Sequence, residues 1–272
     1  MSNAESNEYI LGTDKDELHR LGIQHQVWAS EAQEGWRRAG FKKGDVLLDL
    51  GSGPGYCSKE LAFIAGEKGQ VIAVDKSESY IHFIEQLNEL HVSNIDARCA
   101  DFNEMHLADN SLDGMYCRWA LAWLANPQEV LEKVRRALRR GGRMVIHEYY
   151  NWSTHQTTPG FPGLRKAIAA ALQSFNDSEG EIDIGRELPI ILNSLGMKVL
   201  RIRPMIKLVR PDDFEWQWPN SFYSNYFPKL VDMGYLTKEE SDMALNQMRE
   251  LETTPGASLF CPSMVEVIAE KI

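Results

Sequence analysis

The segment at residues 46–55 constrains the fold of this chain more than any other. It reads Val-Leu-Leu-Asp-Leu-Gly-Ser-Gly-Pro-Gly, an apolar run that contains one acid and leads into glycines at every second position. The run over residues 46–50 is typical of a buried parallel strand, which is apolar on both faces. The glycines permit a tight turn whose backbone approaches a ligand closely, because no Cβ obstructs it. With a helix predicted directly after it, the turn indicates a nucleotide-type site at a helix N-terminus.

The glycine turn resembles the first motif of the class I S-adenosylmethionine-dependent methyltransferases, Asp/Glu-x-Gly-x-Gly-x-Gly. The matching positions are Asp49, Gly51, Gly53 and Gly55. The dinucleotide fingerprint Gly-x-Gly-x-x-Gly fits less well, because its third glycine would fall at Tyr56 or Ser58. The phosphate-binding P-loop is excluded, since no Gly-Lys-Ser/Thr follows. An ordinary strand-to-helix turn stays the alternative at this point.

The composition predicts one large domain and argues against nucleic acid as a partner. The chain has 272 residues, of which 43% are hydrophobic, enough for one α/β domain with a substantial core. Its 39 acids and 29 bases give a net charge of −10, which repels phosphate backbones. The basic cluster at residues 133–143 is predicted to be a solvated helix face near a helix C-terminus, where cations suit the helix dipole.

The cysteine pattern and hydropathy predict a cytoplasmic protein without a membrane partner. The four cysteines form no Cys-x-x-Cys pair, so neither a zinc site nor a disulfide framework is expected, and a reducing compartment is favoured. No apolar stretch approaches the length of a membrane span, and no signal-peptide core is visible. We expect a monomer or a homodimer.

Strand and helix patterns alternate along the core. Strands are predicted over residues 46–50, 70–75, 95–100, 112–117 and 143–150. Helices are predicted over residues 58–65, 78–90 and 127–140, the last stopped by the pair Gly141-Gly142. This rhythm predicts a mostly parallel sheet with helices on both faces.

The pattern changes on either side of this core. Residues 5–43 are predicted to form an N-terminal helical lid of one or two helices, and residues 44–150 the core itself. Residues 151–272 are predicted to supply insertion helices and to complete the same sheet. The elements predicted there are a helix over 164–175, a helix over 185–195, a strand over 197–209, helices over 211–252 and a strand over 259–270.

Asp75 is the second candidate ligand of the predicted site. It ends the second strand, and ligands of open α/β sheets bind outside the carboxyl ends of the strands. An ionised carboxylate there accepts hydrogen bonds from both hydroxyls of a ribose. Lys76 follows it and is assigned to the same site. A helix N-cap is the alternative role for Asp75.

Four motifs across residues 46–150 match the methyltransferase family in order and spacing, and the resemblance assigns further cofactor contacts. It implies that Asp101 meets the adenine amino group and that the backbone of Phe102 meets a ring nitrogen, although Asp101 could instead cap its loop. The segment 111–124 resembles the fourth motif, which implies that Arg118 contacts the cofactor through its backbone; an approach of its charge to the cofactor carboxylate is the further possibility. Around the first motif, the resemblance places four residues beneath the methionine end of the cofactor: Asp49, Gly51, Ser52 and Gly53.

The substrate side is predicted from aromatic residues and from a weaker resemblance. Residues 9–12 and 20–28 resemble the lid of quinone-biosynthesis methyltransferases, where Gln24 would bond the methionine carboxylate; an exposed helix face is the alternative. Trp119 and Trp123 would line a pocket or fill the core. The other substrate-binding candidates are Tyr9, Trp28, Tyr149 and Tyr150.

His147 and Glu148 are the candidate general bases, because they are predicted to end the fifth strand at the rim of the site. Structural roles are the alternative for both. Methyl transfer needs few catalytic side chains, since the sulfonium is already activated and alignment does most of the work.

The resemblance implies a Rossmann-like α/β fold with a seven-stranded sheet whose sixth and seventh strands are antiparallel. It implies an enzyme that transfers a methyl group from S-adenosylmethionine to a small-molecule acceptor and leaves S-adenosylhomocysteine. No Asn/Asp-Pro-Pro-Tyr/Phe motif follows the fourth strand, and Cys261-Pro262 reverses the Pro-Cys order of cytosine-C5 enzymes. No metal site is predicted. An NAD(P)-dependent oxidoreductase and a non-catalytic S-adenosylmethionine-binding regulatory protein stay the alternatives.

Overall fold

The computed structural model describes residues 15–91 and 94–272. Its strands are β1 (Val46–Leu50), β2 (Gln70–Asp75), β3 (Ile95–Cys99), β4 (Leu112–Arg118), β5 (Leu138–Asn151), β6 (Gln156–Thr158), β7 (Met197–Met205), β8 (Leu208–Val209), β9 (Ser258–Phe260) and β10 (Ser263–Lys271). Its helices are α1 (Lys15–Ala39), α2 (Tyr56–Ala65), α3 (Glu78–His91), α4 (Pro127–Ala137), α5 (Pro162–Asn176), α6 (Leu188–Ser194), α7 (Gln217–Asp232) and α8 (Lys238–Thr253).

Seven strands form one sheet in the order β3-β2-β1-β4-β5-β10-β7. The pairs from β3 to β5 are all parallel, whereas β10 is antiparallel to both of its neighbours. The predicted mostly parallel, Rossmann-like sheet is therefore confirmed. The prediction that the sixth and seventh strands are both antiparallel is wrong for β7, since two successive antiparallel pairings restore the direction of β5.

The sheet is buried on both faces, as the apolar run of β1 predicts. Leu47 packs into a core with α1, α2 and α3, and its neighbour Leu48 packs into a second core on the opposite face with α4, α6 and the later helices. The order of the strands reverses between β1 and β4. Ligands of open α/β sheets bind at such a switch point, outside the carboxyl ends of the strands.

The start of β5 differs from the sequence prediction. Helix α4 ends at Ala137 and β5 begins at Leu138, so the predicted helix stop at Gly141-Gly142 is wrong and these glycines lie within the strand. The register against β4 shifts between Leu112 and Gly114, which accommodates the extra residues of β5. The basic cluster at 133–143 is consequently divided between a helix and a strand.

The C-terminal part folds into more pieces than predicted. The strand predicted over 197–209 divides into β7 and β8, and that over 259–270 divides into β9 and β10. The short strands β6, β9 and β8 form a second, three-stranded sheet. The helical stretch predicted over 211–252 is a 3-10 turn followed by α7 and α8, separated at Gly234.

A single helix, α1, crosses the sheet closely and joins it to α7. A Cβ on Gly35 would lie 2.9 Å from Glu266 and 3.2 Å from His147, so only glycine allows this approach. The carboxylate of Glu266, on β10, is fully buried and pairs with Arg38 of α1 and Arg203 of β7. His147 on β5 lies 3.2 Å from the same carboxylate.

Glu266 holds α1 on the sheet through these contacts. Burial alone would raise the pKa of Glu266, but the hydrogen bonds from His147 and Arg203 outweigh it and set the pKa at about 2. Because this pKa is depressed, the stabilisation by Glu266 is present at neutral pH and is lost as the pH falls from the ordinary value of 4.5 toward 2.

We expect Glu266→Gln to lower the free energy of unfolding by about 2 kcal/mol, because the buried side chain loses its charge-assisted bonds to Arg38 and Arg203, although these half-buried arginines keep their pairs with Glu34 and Glu31. Urea denaturation monitored by circular dichroism measures this change. Asp242→Asn is the matched control, since Asp242 pairs with Lys238 on an exposed helix face and its loss should change stability by less than about 1 kcal/mol. Equal effects of the two substitutions would contradict the role given to Glu266.

Candidate functional site

The glycine turn after β1 is tightly packed on its flanks and open in its middle. Gly51, Gly53 and Gly55 all have positive φ, at 75°, 52° and 82°. A Cβ on Gly51 would lie 2.4 Å from the Cβ of Ala120, and one on Gly55 would lie 2.6 Å from Ile84. A Cβ on Gly53 would meet no described atom within 4 Å. The turn therefore offers exposed backbone for a ligand at Gly53.

Asp75 lies against this open point of the turn. Its carboxylate accepts hydrogen bonds from the backbone N–H of Gly53 at 2.8 Å and of Ser77 at 2.9 Å. Two bonds leave lone pairs free on an ionised carboxylate, which has about four acceptor positions. Burial raises the pKa of Asp75. The bond from Ser77 closes a turn before α3, whose N-cap is Ser77 itself, since the Ser77 hydroxyl accepts from the Tyr80 N–H at 3.3 Å. The N-cap alternative for Asp75 is therefore wrong, and its ribose contact stays a prediction. Lys76 is exposed.

Asp49 lies beneath the turn and is buried. It accepts a hydrogen bond from the Ser58 hydroxyl at 2.6 Å, which ties β1 to the first turn of α2. Burial raises the pKa of Asp49 to about 6. The predicted contact between Asp49 and the amino group of a ligand stays a prediction.

The turn after β3 carries the two residues that were predicted to contact adenine, and they lie in different surroundings. Asp101 is exposed and accepts a hydrogen bond from the backbone N–H of Asn103 at 2.7 Å, which is the loop-capping alternative. The Phe102 ring approaches the glycine turn, with Cζ at 3.6 Å from the Cβ position of Gly51. The predicted contacts of both residues with adenine stay predictions.

The turn after β4 carries a partly buried cation. The guanidinium of Arg118 has an enclosed Nη1 without a hydrogen-bond partner among the described residues. Its Nη2 lies 3.4 Å from Nδ1 of His25 on α1. An unpaired, enclosed guanidinium nitrogen fits a carboxylate, which arginine recognises strongly. This geometry suits the approach of the Arg118 charge to a carboxylate that the sequence already suggested, and both this contact and the backbone contact stay predictions.

Trp119 follows in a strained conformation. Its φ is 54°, a value rare for a residue with a large side chain. Backbone strain of this kind concentrates at functional sites, where the surrounding structure imposes it. The Trp119 N–H donates to the carbonyl of His147 at 3.1 Å, and Ala120 and Leu121 donate to the Glu148 carboxylate at 3.0 and 2.9 Å. These bonds hold the turn against β5.

Beyond the turn lies a narrow, partly open cleft, named here the aromatic cleft. Its lining residues are Arg20, Gln24, Trp119, Trp123, Tyr149, Trp152, His155, Phe175, Trp218, Pro219, Phe222 and Pro262. Trp119 stacks with Trp218 at 5.7 Å and with Tyr149 at 5.8 Å between ring centroids. The cleft therefore presents flat apolar surfaces beside the predicted cofactor site.

The structure brings four predicted residues to this cleft and leaves others away from it. Trp119, Trp123, Tyr149 and Gln24 line it. Gln24 Oε1 accepts hydrogen bonds from Arg20 and from the Trp218 indole, so the exposed-face alternative is wrong.

The other substrate candidates lie elsewhere. Trp28 is buried behind the cleft, with its ring edge-on to Trp119 and Trp218. Tyr150 is 48% exposed, beneath the Arg186 guanidinium, and does not line the cleft, because side chains alternate along β5. Tyr9 lies outside the described residues.

The predicted placement of His147 and Glu148 at the rim is wrong, because β5 continues to Asn151 and buries both side chains completely. His147 contacts Tyr116 and Glu266 on the α1 side of the sheet. Burial raises the pKa of Glu148 to about 8, against the hydrogen bonds from Leu121 and Ala120. The structure therefore gives both residues the structural role that was the alternative.

Sequence reasoning missed His155, Phe175, Trp218 and Phe222 as lining residues. The signal available was the density of aromatic residues over 214–227, which marked a cluster without assigning it to a site. His155 gave no such signal, since its neighbour Tyr223 comes from α7, which is distant in sequence.

Within residues 15–91 and 94–272, no three His, Cys, Asp or Glu side chains are grouped so that they could hold a metal ion. None of the helices over the same residues combines the length and apolarity that crossing a bilayer requires.

Several known proteins that are similar to this chain are methyltransferases. Residues 41–190 match the methyltransferase domain family. The ubiquinone/menaquinone biosynthesis C-methyltransferase UbiE of Hydrogenovibrio crunogenus is 28% identical over 136 residues, 49% of this chain and 52% of the relative. Demethylmenaquinone methyltransferase of Desulfitobacterium hafniense is 24% identical over 225 residues, 74% of this chain and 86% of the relative. The chain thus spans about half the length of the first of these relatives.

A solved structure shows the same fold. Phosphoethanolamine N-methyltransferase 2 of Haemonchus contortus, in complex with phosphomonomethylethanolamine and S-adenosylhomocysteine, superposes with a TM-score of 0.59 at 16% identity, covering 93% of this chain and 57% of that one. Since the family match covers more than half of the chain, and sheet order and glycine turn agree with it, the chain belongs to the methyltransferase domain family, among the class I S-adenosylmethionine-dependent methyltransferases.

Proposed function

We propose that this chain transfers the methyl group of S-adenosylmethionine to a small molecule held in the aromatic cleft. The observation that carries the proposal is the turn after β4, which belongs to both sites. Ala120 packs against Gly51 of the glycine turn, and the preceding residue, Trp119, forms a wall of the cleft. A cofactor on the glycine turn and an acceptor in the cleft would therefore be neighbours.

The residues at the glycine turn fit the cofactor. Exposed backbone at Gly53 gives close approach, the free lone pairs of Asp75 suit ribose hydroxyls, and the unpaired Arg118 Nη1 suits the methionine carboxylate. When bound, the cofactor supplies a methyl group that its sulfonium has already activated. No base is needed to activate the donor.

The acceptor cleft supplies orientation and excludes water. Stacked and edge-on rings around Trp119 present rigid apolar surface to a flat ligand. Holding the nucleophile in line with the methyl group replaces a bimolecular encounter by a positioned one. Glu148 is a positioning residue here, since its bonds to Ala120 and Leu121 fix the turn that carries Trp119.

The class of acceptor is proposed from the net charge of the chain, and the compartment from its free cysteines. The net charge of −10 opposes binding to nucleic acid. Each of the four cysteines is free, which supports a reducing cytoplasm. The oligomeric state that we propose is a monomer or a homodimer.

We expect S-adenosylhomocysteine at 100 times its Kd to stabilise the folded protein by about 2.7 kcal/mol, because it binds the folded state alone. Differential scanning fluorimetry shows this as a rise in Tm. NAD(H) at the same concentration should leave Tm unchanged. Stabilisation by NAD(H) without stabilisation by S-adenosylhomocysteine would identify an oxidoreductase and contradict the proposal.

The ribose assignment has its own test. Asp75→Asn should weaken S-adenosylhomocysteine binding at least tenfold, or about 1.4 kcal/mol, because an amide nitrogen cannot accept a hydroxyl hydrogen bond. Isothermal titration calorimetry measures the change. Asp109→Asn, on an exposed loop, is the control and should bind as the parent protein does. Unchanged affinity in Asp75→Asn would show that Asp75 serves only the turns at Gly53 and Ser77.

Catalytic transfer is tested with a radiolabelled methyl donor and a panel of small acceptors. Label recovered in an acceptor supports the proposal. Intact binding of S-adenosylhomocysteine with no transfer to any acceptor class would favour a regulatory protein that binds the cofactor.

Glu148→Gln should remove a pH dependence of stability. With the pKa of Glu148 raised to about 8, the folded state keeps a proton that the unfolded chain loses above about pH 4.5. The parent protein therefore loses stability between pH 5 and 8, by up to about 1.4 kcal/mol per pH unit from this group.

The glutamine variant should show a smaller fall of Tm between pH 5 and 8, since its amide oxygen still accepts the Ala120 and Leu121 bonds. Glu129→Gln, on the exposed face of α4, should retain the parent slope. Parallel pH profiles for Glu148→Gln and the parent protein would show that Glu148 is ionised in the folded state.

A further inference from the structure

We propose that two copies of this chain form a homodimer through an exposed row of apolar side chains, related by a two-fold axis at Pro204. The row is named here the aliphatic stripe and consists of Leu200, Ile202, Pro204, Ile206 and Leu208. None of these residues lines the aromatic cleft, so the inference is independent of the proposed function. It selects the homodimer and names the surface that forms it.

The aliphatic stripe lies on a border that the two sheets share. β7 is the last strand of the seven-stranded sheet, and β8 is the last strand of the three-stranded sheet. The N–H of Cys261 donates to the carbonyl of Lys207 at 2.9 Å, so the pairing of β7 with β10 continues into the pairing of β8 with β9. Residues 197–209 therefore form one continuous edge, beyond which no strand lies in the part of the chain that the structure describes.

The residues between those of the stripe are turned toward the protein. Arg203 pairs with the buried carboxylate of Glu266 at 3.0 Å. The ammonium of Lys207 lies 4.7 Å from the centroid of the Trp28 ring. Met205 and Val209 are buried. The inward face of this edge thus carries most of its cationic side chains.

The outward face is apolar instead. Leu200, Ile202, Ile206 and Leu208 are 41%, 55%, 56% and 63% exposed, and Pro204 is exposed between them. An edge that faces water ordinarily alternates in the opposite sense, with its apolar residues inside. The stripe extends over about 26 Å, at about 3.3 Å per residue. An exposed apolar surface of this extent indicates contact with another molecule.

The edge is poorly suited to the addition of a further strand. Pro204 has no N–H to donate to a neighbouring strand. The register against β10 shifts between Ile268 and Ala269, which leaves Leu200 as an extra residue. Bulges and prolines of this kind protect edges from strand pairing. A partner would therefore pack on the side chains of the stripe.

The order of the residues in the stripe is symmetric. Leu, Ile, Pro, Ile and Leu read the same in both directions from Pro204. A two-fold axis at Pro204 places Leu200 opposite Leu208 of the second copy, and Ile202 opposite Ile206 of the second copy. Dimers with two-fold symmetry require a surface that is complementary to itself. The stripe meets this requirement.

The charges at the two ends of the stripe are complementary. Residues 196–199 carry one base, Lys198, and no acid, whereas residues 210–213 carry one base, Arg210, and two acids, Asp212 and Asp213. The same two-fold axis brings the positive end of one copy to the negative end of the other, twice in each dimer. Opposite charges at the rim of an interface favour association and fix its register.

The charges also favour a second copy over a lipid bilayer. Arg201 and Arg203 are engaged with Glu266, and Arg210 pairs with Asp213 at 3.0 Å. Attraction to anionic lipid needs a cluster of cations that face the membrane. The acids at residues 212 and 213 would instead be repelled by such a surface.

The test measures the mass of the whole chain by sedimentation velocity at micromolar concentration. The parent protein should sediment as a dimer, with twice the 30.9 kDa mass of one chain. Ile202→Lys and Ile206→Glu should each give a monomer, because each places a charge against an aliphatic side chain of the second copy. Circular dichroism should show parent-like folding of both, since both positions are exposed.

The double variant Ile202→Lys, Ile206→Glu tests the symmetry itself. It should dimerise again, because each lysine would face the glutamate of the second copy. Within one chain the two positions lie about 13 Å apart along the strand, too far for an ion pair. Phe63→Glu is the matched control, since Phe63 is 86% exposed on α2, and it should remain dimeric.

Three results would overturn the inference. A monomeric parent protein would do so, and flotation of that monomer with phosphatidylserine vesicles would identify a bilayer as the partner. A dimer that survives both single substitutions would use another surface. A double variant that stays monomeric would exclude the two-fold axis at Pro204.

Discussion

The turn after β4 is the constraint on which both halves of the site depend. The Glu148 carboxylate accepts hydrogen bonds from Ala120 and Leu121 and so holds the turn on β5. That hold keeps Trp119 in its left-handed conformation and Ala120 against Gly51. Without the bonds to Glu148, the turn after β4 could move away from β5. The distance between the glycine turn and the aromatic cleft would then no longer be fixed by the neighbouring residues Trp119 and Ala120.

The parts of the site that sequence predicts are those encoded locally. The strand, glycine turn and helix after residue 46 follow from hydrophobic run and glycine spacing, and Asp75 follows from its position at a strand end. The start of β5 could not be predicted, because Gly141-Gly142 has the composition of a helix stop and its actual place depends on pairing with β4. His155 was out of reach for a related reason, since its partner Tyr223 lies 68 residues away.

Only some of the residues that line the aromatic cleft lie within the residues that match the family. The glycine turn, Asp75 and one wall of the cleft, including Trp119 and Tyr149, lie within the matched residues 41–190. Gln24 on α1 and Trp218 on α7, which share a hydrogen bond across the cleft, lie outside them. The turn proposed to hold the cofactor therefore lies within the matched residues, whereas part of the cleft proposed to hold the acceptor lies outside them.

The most direct test of this account is a crystal structure of the complex with S-adenosylhomocysteine. We predict that the ligand binds on the glycine turn, with its ribose hydrogen-bonded to Asp75 and its sulfur facing the aromatic cleft beside Trp119. A ligand bound elsewhere, or a sulfur separated from the cleft by the turn after β4, would contradict the central claim that this turn joins the two sites.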